Sequence, residues 1–273
     1  MFTQEDLKKD RKDVINKILL ESGRGEVISF CSEVLDKRAY FTVDMHGNIK
    51  RKKYNYAVPA AVFMENDNEF ADYISENLNF TEKTKIEKIG RMTNEDTEEV
   101  KKNIFKLLVK GECHFSLRHC KELLMRDSEE FFKMMFMISM MDNTAFEKSL
   151  AVYSLKKYFE KFGYSDEALY LTISYLAKMR ADFRDFENEK GVEISKEELR
   201  NRVKNSIDKY ENEKGVEILG YLAALLSCDY EKENIFSNIL KKKIDEFENS
   251  FEERNEELSN IKKSIYEYLS KEV

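Results

Sequence analysis

Apolar residues recur at helical spacing along nearly the whole chain. Leu7, Val14, Ile15, Ile18 and Leu19 share one face of a first helix, opened by Thr3 with Asp6 three residues on and closed at Gly23, with Gly25 close behind. A second helix over about 26–37 gathers Val27, Ile28, Cys31, Val34 and Leu35. The period then drops to two: Phe41, Val43 and Met45 alternate with polar residues, His46-Gly47-Asn48 supplies a turn, and residues 49–56 return. That pattern predicts a β-hairpin over about 40–56. Pro59 closes the second strand and opens a helix running to about Asn77. The polar stretch 79–92 ends in Ile89-Gly90-Arg91 and marks a boundary, giving an N-terminal segment, 1–92, and a helical domain, 93–273.

Beyond that boundary the chain reads as helix after helix. Caps are expected at Thr93, Ser116, Ser128, Thr144 with Glu147, Ser165, and Ser195 with Glu198; stops are expected at Gly111, Gly163, Gly191 and Gly215. Residues 131–141 are apolar at nine of eleven positions, which places that helix at the centre of the domain. Residues 168–186 read as one aromatic-rich core helix. An octapeptide, Glu-Asn-Glu-Lys-Gly-Val-Glu-Ile, occurs at 187–194 and again at 211–218, each copy ending a helix at its glycine; a local duplication accounts for it. Near the C-terminus Leu240, Ile244, Phe247, Phe251, Leu258, Ile261, Ile265 and Tyr268 alternate at spacings of four and three, with Arg254 in one expected apolar slot. This predicts a single helix over about 231–271, with a heptad seam roughly 45 Å long. The seam either folds back on the chain's own helices, the commoner outcome, or joins a second copy in a homodimer.

Composition narrows the class. Nine Gly and one Pro are too few for the turns of an all-β domain, while 42% apolar residues, 19 Phe and 14 Tyr supply a substantial core. The expected fold is mostly α, a helical bundle or short irregular α-solenoid with one small N-terminal hairpin and a long C-terminal helix. Acidic residues outnumber basic ones 53 to 46, a formal charge of −7, which argues against a protein whose main work is coating nucleic acid. No run approaches the roughly 18 apolar residues of a membrane span, and residues 1–13 are too charged for a secretory signal. Four separated cysteines, Cys31, Cys113, Cys120 and Cys228, form no disulfide framework, so a reducing cytoplasm is expected, with no membrane partner.

Three clusters carry candidate chemistry. Cys113, His114, His119 and Cys120 bring two of three histidines and half the cysteines into eight residues, a composition that suits zinc. Their spacing does not: on one helix His114 and His119 point about 140° apart, so convergence needs Cys113 and His114 in a loop before a helix capped by Ser116. A nucleophilic Cys–His pair lacks a Gly-rich oxyanion turn beside either cysteine. Lys50, Arg51, Lys52 and Lys53, followed by Tyr54 and Tyr56, combine cations with aromatics as single-stranded nucleic acid sites do, although lysines on an edge strand also block aggregation. Asp245, Glu246, Glu248, Glu252, Glu253, Glu256 and Glu257 form an acidic ridge against Arg254 alone. No Walker loop, dinucleotide fingerprint, Gly-x-Ser-x-Gly elbow or His-Glu-x-x-His motif occurs. The leading expectation is a non-enzymatic, cytoplasmic protein-binding module, such as a bacterial inhibitor or immunity-type protein, docking a basic partner on an acidic helical surface. The alternatives are a nucleic-acid-binding or processing protein using the basic hairpin, and a zinc-dependent protein using the Cys/His cluster. Neither catalytic residues nor a cofactor beyond that zinc are assigned.

Overall fold

Helices form where apolar period, cap and stop coincide. In the computed structural model, which describes residues 2–273 apart from 37–40, 44, 48, 52, 82–85, 87, 91–93, 144, 180, 191–193 and 251–257, the helices are α1 (Gln4–Lys9), α2 (Arg11–Leu35), α3 (Ala57–Phe63), α4 (Asp67–Asn77), α5 (Thr97–Lys110), α6 (Cys113–Arg126), α7 (Ser128–Met141), α8 (Glu147–Phe162), α9 (Asp166–Lys178), α10 (Arg184–Asn188), α11 (Lys196–Asn205), α12 (Glu213–Leu226), α13 (Glu233–Asn249) and α14 (Asn260–Glu272). A 3₁₀ turn covers Ile207–Tyr210, and two three-residue strands, β1 (Phe41–Val43) and β2 (Ile49–Arg51), pair antiparallel with Val43 opposite Ile49. The mostly α class holds.

Local signals place several ends where expected. Thr3 with Asp6 and Ser195 with Glu198 form reciprocal capping boxes, and Ser165 caps α9 through Ala168 N. Gly111 and Gly163 end α5 and α8 at positive φ. Other expectations are corrected. Ser116 lies inside α6, its hydroxyl donating to Glu112 O at 2.8 Å, and Asp127, one residue before Ser128, caps α7. Thr93, Thr144 and Gly191 lie outside the described residues. Residues 168–186 do not form one helix: α9 ends at Lys178, and α10 starts at Arg184.

The first predicted helix breaks at Asp10 (φ −142°, ψ 85°) into α1 and the start of α2, and α2 then runs on into the second predicted helix through a kink at Gly23 with φ 80° and ψ −177°, a conformation essentially confined to glycine. The kink turns Arg24 inward. Its guanidinium donates to the carbonyls of Ala61, Met64 and Glu65 and to Asp67 Oδ1. Those carbonyls would otherwise be orphaned at a helix end. The bonds explain why the helix expected from Pro59 to Asn77 is two, α3 and α4, with Asn66 capping the second. The second strand likewise stops at Arg51 rather than Tyr56, because Tyr54 and Tyr56 are both drawn into the core.

The expected C-terminal rod is α13 and α14, separated by 250–259, and its seam closes within the chain. Leu240, Ile244, Phe247, Ile261 and Ile265 are buried, α13 and α14 both pack on α12, and the Tyr268 ring lies tilted against Phe63 of α3 with centroids 4.8 Å apart. Buried side chains run continuously across residue 92, because α2 and α3 pack on α9 and α8.

The centre is α8, α9 and α12 rather than residues 131–141. Every residue from Ala168 to Ala177 is buried, as is every one from Lys148 to Leu155, whereas Met134, Met137 and Met141 leave one side of α7 half-buried. Small residues permit this. At Gly220 a Cβ would come within 2.8 Å of Leu150 Cβ, so α12 lies against α8 nearly backbone to backbone. Gly215 is not a stop: it sits in the first turn of α12, where Asn212 caps its N–H at 2.9 Å and a Cβ would strike Tyr210 O at 2.2 Å. Gly220→Val should therefore destabilise the fold by about 1–3 kcal/mol, read from denaturant midpoints, and Leu150→Ala in the same chain should return part of the loss.

Candidate functional site

The Cys/His cluster does not converge. Helix α6 begins at Cys113, so all four residues share one helix, and the loop that would fold Cys113 and His114 back does not exist. Cys120 is fully buried and its thiol is pushed up by burial; His119 is buried with Nδ1 3.5 Å from Glu95 Oε2; His114 is exposed, its Nε2 3.3 Å from an Arg118 nitrogen. Among the described residues no three His, Cys, Asp or Glu side chains are grouped to hold a metal. None of the four cysteines is in a disulfide.

The basic run loses its aromatic half. Tyr54 and Tyr56 are 6% and 8% exposed, their rings 4.9 Å apart, and Tyr54 lies 4.7 Å from the Tyr175 ring, so neither offers a face to a base. Lys53 is exposed; the side chains of Lys50, Arg51 and Lys52 lie outside the described part. Of the acidic ridge, Asp245 and Glu248 bind Arg202 at 2.7 and 2.5 Å, and Glu246 binds Lys243 at 3.2 Å. Glu252, Glu253, Glu256 and Glu257 lie outside the described residues.

Two arrangements escaped the sequence. The first is a set of carboxylates taken up by tyrosines of distant helices. Asp36, at the end of α2, accepts from Tyr170, Ser174 and Lys178 of α9 at 2.8, 3.1 and 3.0 Å. Glu147, the first residue of α8, accepts from Tyr56 at 2.6 Å and Tyr175 at 3.4 Å. Half-buried Glu217 of α12 faces Glu147, and burial, then that second carboxylate, push its pKa up to about 7. Glu217 is the lone acid in the apolar run 216–226, the one signal that could have singled it out.

The second is an open groove of about 940 Å³ between the end of α6, the first turns of α7, the second half of α8 and the residues following α12. Leu124, Phe132 and Phe159 make its floor, with Phe132 and Phe159 rings 6.1 Å apart, and Met125 and Tyr164 are exposed at its edge. Asp127, Glu129, Glu130, Glu160 and Asp229 line it against two lysines, Lys133 and Lys156. Three of these acids meet lysines: Glu130 meets Lys101 at 2.8 Å, Glu160 meets Lys157 at 3.2 Å, and Asp229 meets Lys196 at 2.8 Å. Glu160 also meets Lys156 at 3.4 Å, and the side chains of Lys101, Lys157 and Lys196 are only 25%, 24% and 18% exposed, so these pairs are partly sheltered at the lysine end. Glu129 is exposed. Chemically the site joins an aromatic floor to a negative rim.

No helix among the described residues is long and apolar enough to cross a membrane. No family model, curated protein or solved structure matches the chain.

Chelation tests the geometry of the Cys/His helix. Dialysis against a strong chelator should leave the melting temperature unchanged, and a Cys113→Ser, His114→Ala chain should lie within about 0.5 kcal/mol of the parent. A chelator-induced loss of structure would contradict the placement of these side chains.

Proposed function

We propose that this chain is a non-enzymatic protein-binding module whose groove takes a basic, amphipathic segment of a partner protein, in the manner of a stoichiometric inhibitor. The observation that carries the proposal is the conjunction in one place of an aromatic floor and a rim with five carboxylates to two lysines. Interfaces draw most of their affinity from a few aromatic or apolar anchors in a desolvated centre. Complementary charge around the rim raises the encounter rate and excludes like-charged competitors. Floor and rim divide those two tasks. The docking surface proposed is this groove and not the ridge at 245–257, where Arg202 holds both Asp245 and Glu248.

The affinity of a synthetic helical peptide, carrying one aromatic anchor flanked by lysines, tests this by calorimetry. Tyr164→Ala should weaken it by about 10–100-fold. Reversing Glu129 and Glu160 to lysine should slow association, and added salt should weaken the parent complex. Equal binding by a glutamate-flanked version of the peptide, or indifference to all three substitutions, would overturn the proposal.

A further inference from the structure

Tyr164 stands where α8 gives way to α9. Gly163 ends α8 with φ 81° and Asp166 begins α9, so Tyr164 and Ser165 lie in the turn between them. A side chain on such a turn, here 39% exposed, ordinarily samples several rotamers on the picosecond-to-nanosecond scale. This one is restrained on three sides. Its hydroxyl donates to Asp166 Oδ1, the Phe159 ring lies 5.5 Å away between centres, and the Lys121 ammonium sits 5.3 Å from the ring centre.

The restraint is itself braced. Lys121 of α6 donates to Asp166 Oδ1 at 2.8 Å, and the pair is sheltered, with side chains 12% and 14% exposed. Buried Ile89 closes a ring of contacts: its N–H donates to Asp166 Oδ2 at 3.3 Å, and its carbonyl accepts from Lys121 at 2.9 Å. Burial alone would raise the Asp166 pKa, but the bonds from Lys121, Tyr164 and Ile89 prevail and hold it below the ordinary carboxylate value. Asp166 therefore stays ionised, as an acceptor should.

Holding the chain together does not require the tyrosine. Asp166, Lys121 and Ile89 satisfy one another as a closed set, and both backbone groups of Ile89 are used within it. The Tyr164 hydroxyl adds a further bond whose consequence is the direction of a ring at the edge of the groove, beside the Phe159 and Phe132 rings of the floor.

We infer that Asp166 and Lys121 are positioning residues for the groove, which hold the Tyr164 ring as a preset wall for the apolar anchor of the basic partner segment. This role rests on the groove being the docking surface. A ring already fixed in the free protein loses little freedom on binding, whereas immobilising a mobile side chain at an interface costs affinity. The ion pair thus acts through Tyr164 and need not touch the partner.

The test uses full-length protein and the synthetic peptide with one aromatic anchor flanked by lysines. Tyr164→Phe keeps the ring, the Lys121–Asp166 pair and both Ile89 bonds, and removes only the hold on the hydroxyl. It should weaken the peptide by about 2–10-fold. In the unliganded parent, scalar couplings from the backbone to Tyr164 Cγ should report a single χ1 rotamer, and in the Asp166→Ala chain they should be averaged. Because Asp166 acts through Tyr164, the chain carrying both substitutions should lose less affinity than the product of the two single losses. A parent that does not bind the peptide would overturn the groove, and this role with it. A parent that binds, with Tyr164→Phe binding equally well, would overturn the positioning role and leave the groove standing. So would Tyr164 couplings already averaged in the unliganded parent, a result that depends on no variant. Single losses that multiply in full would likewise overturn it, marking Asp166 as one more charge on the rim.

Discussion

Everything in this molecule is arranged around the contact of α8 with α12. Two helices packed through leucines stand about 8–10 Å apart. Gly220 against Leu150 removes the side chain from one partner, and the space left admits no added methyl. The helices then share a boundary that excludes water over two turns on each side, and α9, whose central ten residues are all buried, closes a third face. Peripheral helices need only one apolar stripe each, and they have that: α5, α6, α13 and α14 bury a single side and expose charge on the other.

Packing so close at the centre creates a second constraint, since polar groups carried inward must find partners there. Tyrosine and carboxylate meet this need repeatedly. Tyr170 binds Asp36, Tyr56 and Tyr175 bind Glu147, and Tyr210 binds Glu248. Each bond ties elements distant in sequence, and the first two tie the N-terminal segment to the helices beyond residue 92. Inward chemistry is thus spent on holding the fold. Outward chemistry is concentrated in the groove, where the exposed Tyr164 ring lies beside five carboxylates, three of them paired with lysines of the chain.

Local physics was legible in the sequence. The capping boxes at Thr3 and Ser195 depend on residues three apart, and the stops at Gly111 and Gly163 depend on one residue's conformation. The C-terminal spacing named the residues that face inward, Leu240, Ile244, Ile261 and Ile265, but not their division between two helices, because two helices packed on the same neighbour, α12, can keep one apolar spacing. The repeated octapeptide shows the limit most clearly. In the first copy Asn188 ends α10, whereas in the second Asn212 opens α12, so identical letters serve opposite ends of a helix. The difference comes from what lies against them, including the Tyr210 carbonyl pressed on Gly215. The Cys/His cluster failed for a related reason: composition reports which atoms are present, while direction decides whether they meet. The groove draws on α6, α7, α8 and the end of α12, so no window of sequence contains it.

Native-state amide exchange, followed residue by residue, tests the central place of this contact most directly. The slowest amides should lie in α8, α9 and α12 and should share one opening free energy, that of global unfolding, with α2 and α3 close behind. A slowest set confined to α7, or two groups of helices divided near residue 92 that open with unrelated free energies, would contradict a fold built on α8 against α12.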